Sequence, residues 1–377
     1  MTNVNASPIT TLDPPRPAPP SPRSPLPRPA AWRRHGTTAL LSVGIVLVIL
    51  ISAGSGPLAT SLAEAAKIIT GHLLPGMAWM SDGTISVSQD QAVWNFRLPR
   101  TLLAGVAGAS LALAGALLQT NVRNPLAEPY ILGVSAGAGV GAVLAIVAGS
   151  TAMAGIGLNA AAFLGAAGAT VLVYLLAKQG GIIAPSRLIL AGVALGSLLA
   201  AITNFLTITT EAQNVYSVLF FLLGSVSAAS YGQLVLPGLA LAVVGVYAMA
   251  RSRALNAMLA GDETAIALGV NVTSMRRTLL LATALLTATT VAVCGGIGFV
   301  GLVVPHAVRM IVGSDHRRML PLVILGGALF LMLTDLLARS VAQPAEIPLG
   351  ILTAAVGAPF FLWLMRTSGA RGAGVGA

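Results

Sequence analysis

The chain has 377 residues, of which 56% are hydrophobic and 8% charged, and its mean hydropathy is +0.87. A soluble domain carries roughly 25% charged residues. This composition therefore excludes a soluble enzyme and a disordered scaffold, and it leaves a polytopic membrane protein. The net charge of +10 belongs on cytoplasmic loops rather than on a nucleic-acid surface, so no nucleic-acid partner is expected. One cysteine, Cys294, excludes an internal disulfide and a multi-cysteine metal site, and four scattered histidines give no metal centre. With 42 glycines and 5% aromatics, the helices are expected to pack through small residues that let backbones approach.

Residues 1–36 stand apart. They hold the run Pro14-Pro15-Arg16-Pro17-Ala18-Pro19-Pro20 and end in Trp32-Arg33-Arg34-His35, so they read as a disordered basic cytoplasmic arm. Basic residues before the apolar run Ala39–Ile51 also fit a signal peptide, but an uncleaved first span is the preferred reading, because the later spans need an orientation anchor. A bilayer core takes about 20 apolar residues per helix. Apolar windows fall at 37–57, 98–119, 130–149, 160–177, 187–208, 234–250, 277–294, 297–312, 320–338 and 348–365, which predicts an all-α permease body of about ten spans over 37–366. A cytoplasmic tail, 367–377, follows. Stretch 58–96 is too polar to span and predicts an external loop with a short helix. Stretch 213–233 is semi-polar and predicts an outer interfacial segment.

An even number of spans puts both termini on one side. With that side cytoplasmic, 17 of the 21 Lys and Arg fall inside. This skew supports both termini being cytoplasmic. The four exceptions are Lys67, Arg97, Arg100 and Arg339.

Several chemistries are missing from the sequence. It has no Gly-x-x-x-x-Gly-Lys phosphate loop, so ATP hydrolysis by that route belongs to another chain. No His-Glu-x-x-His, nucleophile elbow or paired carboxylates lie in the spans, and the chain reads as non-catalytic. Asp335 is the main acid deep in a span, with Arg339 one helical turn on. An ion-coupled carrier usually needs more ionisable groups near the midplane. A secondary transporter therefore stays only as the rival class, one whose uptake survives loss of an ATPase.

Arg97-Leu98-Pro99-Arg100 opens the second span with two arginines at i,i+3. That pattern fits snorkelling to lipid phosphates and equally a basic patch for an acidic partner. Further along come Leu113-Ala114-Gly115-Ala116-Leu117-Leu118-Gln119, Arg123-Asn124-Pro125-Leu126-Ala127-Glu128-Pro129 and Leu132-Gly133-Val134-Ser135-Ala136-Gly137. Then follow Gly261-Asp262-Glu263-Thr264-Ala265 with Leu268-Gly269-Val270, Gly296-Ile297-Gly298-Phe299-Val300-Gly301 through Pro305-His306, and Glu346-Ile347-Pro348-Leu349-Gly350. As an ordered set over about 95–366, these motifs resemble the FecCD-type permeases. Those are the membrane subunits of ABC importers for iron–siderophores, haem and vitamin B12.

The resemblance implies a type II ABC importer permease in a bacterial cytoplasmic membrane. Its expected partners are a second permease subunit in a homo- or heterodimer, two cytoplasmic ATPases that bind ATP and Mg, an extracytoplasmic binding lipoprotein, and membrane lipid. It implies no cofactor on this chain. The implied cargo is a ferric siderophore, with vitamin B12 and haem as alternatives. Docking of the binding protein falls to Arg97, Arg100 and Arg339. ATPase coupling falls to Gly261, Asp262, Glu263, Ala265, Leu268, Gly269 and Val270. The cytoplasmic gate is placed at Ala184, Pro185 and Ser186. The translocation path is placed along the small face Ala191, Ala194, Ser197 and Ala201, a pattern that by itself also fits plain helix packing. Asp262 and Glu263 suit the start of a short helix, and Gly269 suits its end.

Overall fold

A computed structural model describes residues 31–372 apart from 75, 153–156, 180–181, 184 and 343–344. The described chain forms fifteen α-helices. The first eight are α1 (Ala31–Gly54), α2 (Leu62–Leu73), α3 (Val87–Gln91), α4 (Leu98–Val122), α5 (Val134–Ala152), α6 (Leu158–Ala177), α7 (Pro185–Thr209) and α8 (Ala212–Leu223). The remainder are α9 (Tyr231–Ala250), α10 (Ser252–Leu259), α11 (Asp262–Ala267), α12 (Val272–Cys294), α13 (Val300–Val312), α14 (His316–Ser340) and α15 (Leu349–Gly372). Between α6 and α7, Lys178–Gln179 and Ile182–Ile183 pair antiparallel over two residues each. The architecture is all-α, as the hydropathy pattern predicts.

Each of the ten apolar windows falls on a helix. Seven helices are long and apolar enough to cross a membrane, and the windows at 130–149, 297–312 and 348–365 fall on the shorter apolar helices Val134–Gly149, Val300–Val312 and Leu349–Leu364. α8 lies in the stretch expected at the interface. Its 12 residues rise about 18 Å, well short of a bilayer core of about 30 Å. Two boundaries shift. α1 begins at Ala31, inside the expected arm, so the helix takes in Trp32-Arg33-Arg34-His35 before the apolar run. α15 runs to Gly372, through most of the expected tail. Residues 1–30 and 373–377 lie outside the described residues.

Local chemistry sets several helix starts. The Ser61 hydroxyl accepts from the Glu64 N–H at 3.2 Å, and the Glu64 carboxylate accepts from the Ser61 N–H at 2.7 Å, which closes a capping box on α2. The Ser61 N–H and hydroxyl hold the Glu64 carboxyl below its ordinary range. Ser86 and Gln89 repeat the device on α3. α3 then runs through a wide turn, Ala92–Arg97, into α4, giving one continuous rod, Val87–Val122.

That rod and α12 are the pillars of the bundle. Of their most apolar stretches 89% and 72% of residues are buried, against 17% in α7 and 28% in α9. Helices α1, α6, α7 and α9 therefore face whatever surrounds the chain. α4 and α14 lie antiparallel, and glycine makes their approach possible. A Cβ on Gly108 would strike the carbonyl of Gly327, and one on Gly115 would strike the backbone of Gly301 at the start of α13. Contacts this close replace the hydrophobic drive that lipid cannot supply.

Candidate functional site

The α4–α14 pair carries one polar network at each end. At the first end, Arg97, Arg100 and Arg339 converge, but they do different work. Arg97 is 7% exposed. Its guanidinium donates to the carbonyls of Ala53 at 2.9 Å and Leu58 at 2.7 Å and to the Thr60 hydroxyl at 3.3 Å. It is thus tied to the turn after α1, and the Arg100 and Arg339 side chains, 11% and 10% exposed, are nearly as enclosed. Gly56 leaves the room, since a Cβ there would meet the guanidinium. Arg100 donates from Nε to Asp335 at 2.9 Å and from Nη1 to Glu346 at 2.7 Å. Arg339 lies 3.6 Å from Asp335 and donates to the Ser52 hydroxyl. The three arginines line one cleft of about 660 Å³ together with Phe96, Ser227 and Glu346. Spacing alone cannot tell which acceptors each arginine of an i,i+3 pair will find. The Glu346 partnership has no local signal either, since it spans 246 residues of sequence.

At the other end, the expected coupling segment is a six-residue helix. Asp262 and Glu263 fill its first turn, and it ends in a Schellman motif: the Gly269 N–H bonds the Ile266 carbonyl and the Val270 N–H bonds the Ala265 carbonyl, both at 2.9 Å. Gly261 and Gly269 have φ of 116° and 78°, the left-handed region that glycine tolerates. Ala265 is buried beneath, while Ile266 and Leu268 stand exposed beside Glu263. Asp262 accepts from Arg276 of α12 at 2.9 Å and lies 3.6 Å from Arg123, which ends α4 in a left-handed conformation. No motif marks Arg123 or Arg276 for this role; the local signals are the Pro-containing loop after Arg123 and the basic pair Arg276-Arg277.

A second tie lies beside it. The Thr120 hydroxyl and His316 Nε2 are 2.8 Å apart. Asn256 Oδ1 accepts from the His316 N–H at 2.9 Å and lies 2.8 Å from His316 Nδ1, and the Asn256 amide donates to Asp315 at 2.7 Å. Burial pushes the Asp315 carboxyl up, but the Asn256 amide and the Arg317 N–H outweigh it and hold the group below its usual value. His316, although it is followed by the basic pair Arg317-Arg318, is 1% exposed. Replacing His316 with phenylalanine is expected to cost about 1 kcal/mol, because it removes the ring's bonds to the buried Thr120 on α4 and the half-buried Asn256 on α10. The readout is a lower Tm of the purified permease. Thr120→Val should add little in that background, since both changes break one network.

Between the two ends the backbone is deliberately broken. α13 has 13 residues, a rise of about 20 Å, so its start is recessed and its preceding loop needs protein partners. It has them. The Tyr130 hydroxyl donates to the Ile297 carbonyl at 2.8 Å and accepts from the Ile297 N–H at 2.7 Å, and the Phe299 N–H donates to Glu128 at 2.5 Å. The Ser225 N–H bonds the Cys294 carbonyl at 2.8 Å, and the Leu349 N–H bonds the Gly224 carbonyl at 2.9 Å. The ends of α8 and α12 and the start of α15 thus meet at one junction.

Of the expected path residues, Ala194, Ser197 and Ala201 are exposed on α7 and Ala191 is half-buried, so that face lies open on the surface of the chain. Ala184 of the expected gate lies outside the described residues, Pro185 opens α7, and Ser186 is exposed. No group of three or more His, Cys, Asp or Glu among the described residues is placed to hold a metal ion.

A bundle of apolar helices, seven of them long enough to cross a membrane, is the build of a polytopic membrane protein. The FecCD transport family matches residues 44–367, and the chain belongs to that family. It is 39% identical to the cobalamin import permease BtuC of Halobacterium salinarum over 90% of this chain and 98% of that one. It is 40% identical to the haemin transport permease HmuU of Yersinia pestis, over 74% of this chain and 86% of that one. A solved structure described as an inward-facing conformation of a metal-chelate type ABC transporter superposes with a TM-score of 0.75 at 32% identity, covering 88% of this chain and 99% of that one. The chain is accordingly a multi-pass ABC importer permease.

Proposed function

We propose that this permease imports a bulky metal chelate driven by ATP hydrolysed on separate subunits, and that cobalamin is its first cargo. The observation that carries the cargo is the match to the Halobacterium cobalamin permease over nearly its whole length. Haemin is the second reading, favoured by the 40% identity to the Yersinia haemin permease. The ferric siderophore expected from the sequence has less behind it, since neither of those two relatives is named for one.

In this reading both termini are cytoplasmic, which puts the Arg100 end outside and the Asp262 end inside. Arg100 and Arg339 face the extracytoplasmic binding protein, with Arg97 stiffening the turn beneath them. The exposed Ile266 and Leu268, next to Glu263, seat in the ATPase. The small face of α7 meets a second permease subunit, and cargo passes between the two subunits. ATP binding pulls on α11, and the recessed junction of α8, α12, α13 and α15 changes packing.

The test is uptake of labelled cobalamin, haemin and a panel of ferric siderophores in cells lacking the gene. Loss of cobalamin uptake, restored by the gene and not by a double Arg100→Glu, Arg339→Glu variant, is the expected result. Loss of haemin or siderophore uptake alone would keep the importer and replace the cargo. Cobalamin uptake that persists without the ATPase and collapses with an uncoupler would make the chain a secondary transporter.

A further inference from the structure

The two carboxylates that hold Arg100 differ in kind. Asp335 is buried on α14 between Arg100 and Arg339. Glu346 sits three residues before α15, with its side chain 36% exposed, and accepts from Arg100 Nη1 at 2.7 Å. Glu346 and Ser227 line the arginine cleft and also a neighbouring cavity of about 690 Å³ walled by Tyr216, Phe220, Ser225 and Gln233. Glu346 therefore stands on the ridge between the docking cleft and that cavity. Three arginines against two carboxylates leave the cleft net positive. The exposed carboxylate is the one an incoming acid can displace, because water already solvates it in part and Asp335 stays to neutralise the buried side of Arg100.

We propose that Glu346 is an internal stand-in for a partner's carboxylate. It occupies Arg100 while the outer face is empty, and it yields when an acidic side chain of the binding protein docks. This rests on the docking reading given above. Its consequence for transport follows from position. Leu349, the first residue of α15, bonds the Gly224 carbonyl, and Gly350 packs on the carbonyls of Leu223 and Gly296. Releasing Glu346 removes one tie on the stretch that leads straight into the junction and leaves it on the Ile347 N–H bond to the Ala338 carbonyl at 3.2 Å, so docking and opening of the outer mouth share one contact.

The experiment measures binding of the cognate substrate-binding protein, purified without its lipid anchor, to the permease–ATPase complex in lipid nanodiscs. Glu346→Gln keeps the side-chain shape and removes the competing charge. It is expected to tighten binding about 3- to 10-fold, the size of a partly exposed ion pair, with most of the gain lost in high salt. Glu346→Ala should act in the same direction, so poor folding of one variant does not decide the matter. In an Arg100→Gln background the gain should vanish, which a merely structural role for Glu346 does not require. Unchanged or weaker binding in both Glu346 variants, with binding still lost in Arg100→Glu, overturns the stand-in and leaves docking intact. Unchanged binding in Arg100→Glu and Arg339→Glu removes the docking reading and the stand-in together.

Discussion

Changing Asp262 to arginine is expected to cut ATP-driven uptake more than tenfold while the permease still inserts and folds. Asp262 is the residue through which α11 is held to two pillars at once, α12 by Arg276 and the end of α4 by Arg123. Arginine at this position removes both attractions and sets three like charges together at the base of α11. The exposed Ile266 and Leu268 then lose the orientation that Ala265, buried beneath them, gives them. Each pair is partly exposed and contributes about 1 kcal/mol or less alone. The larger loss is functional, because a knob that moves freely cannot transmit a pull. Asp262→Asn keeps an acceptor for Arg276 and should fall between wild type and Asp262→Arg. Swapping the charges in an Asp262→Arg, Arg276→Asp double variant should recover part of the uptake. Co-purification of the ATPase and ATP hydrolysis in nanodiscs separate lost attachment from lost coupling. Normal uptake in Asp262→Arg would remove the coupling assignment.

What the sequence makes legible follows from range. The ten windows find their helices because burial in lipid demands a local run of apolar residues, and nothing distant can substitute for it. The two ends of α11 are legible for the same reason: acids at the start and glycine at the end answer to the helix's own backbone. Arg100 could be flagged as an outlying basic residue, but its partners could not, since Asp335 and Glu346 lie 235 and 246 residues away. Arg97 shows the limit from the other side. It shares one motif with Arg100, yet its three acceptors come from the turn after α1, 37 to 44 residues away. The basic neighbours of His316 likewise hide its setting. Arg317 is exposed and Arg318 half-exposed beside Asp315, while the ring just before them fills a buried slot between Thr120 and Asn256.

Placing leucine at Gly115 is expected to remove the permease from the membrane fraction. The added Cβ falls on the carbonyl of Gly301, and the obstacle is backbone, which cannot swing aside as a long side chain does. One turn further along α4, Gln119 donates to that same Gly301 carbonyl at 3.1 Å and accepts from Arg309 at 2.8 Å. Pushing α13 away to admit leucine therefore breaks a buried hydrogen-bond chain as well as the packing. Overpacking costs about 1–3 kcal/mol, and stranding the buried amide adds about 1–3 kcal/mol, together a large part of a marginal fold's stability. Gly115→Ala should show a smaller loss of the same sign. Gly168 on α6 provides the control, since a Cβ there meets nothing within 4 Å. Gly168→Ala should be neutral or slightly stabilising, because alanine is the better helix former. Yield of monodisperse protein and Tm in detergent read all three. If Gly115→Leu matched Gly168→Ala, α4 and α13 would not be in the contact described, and the hydrogen-bond chain from Gln119 to Arg309 would have to be redrawn with it.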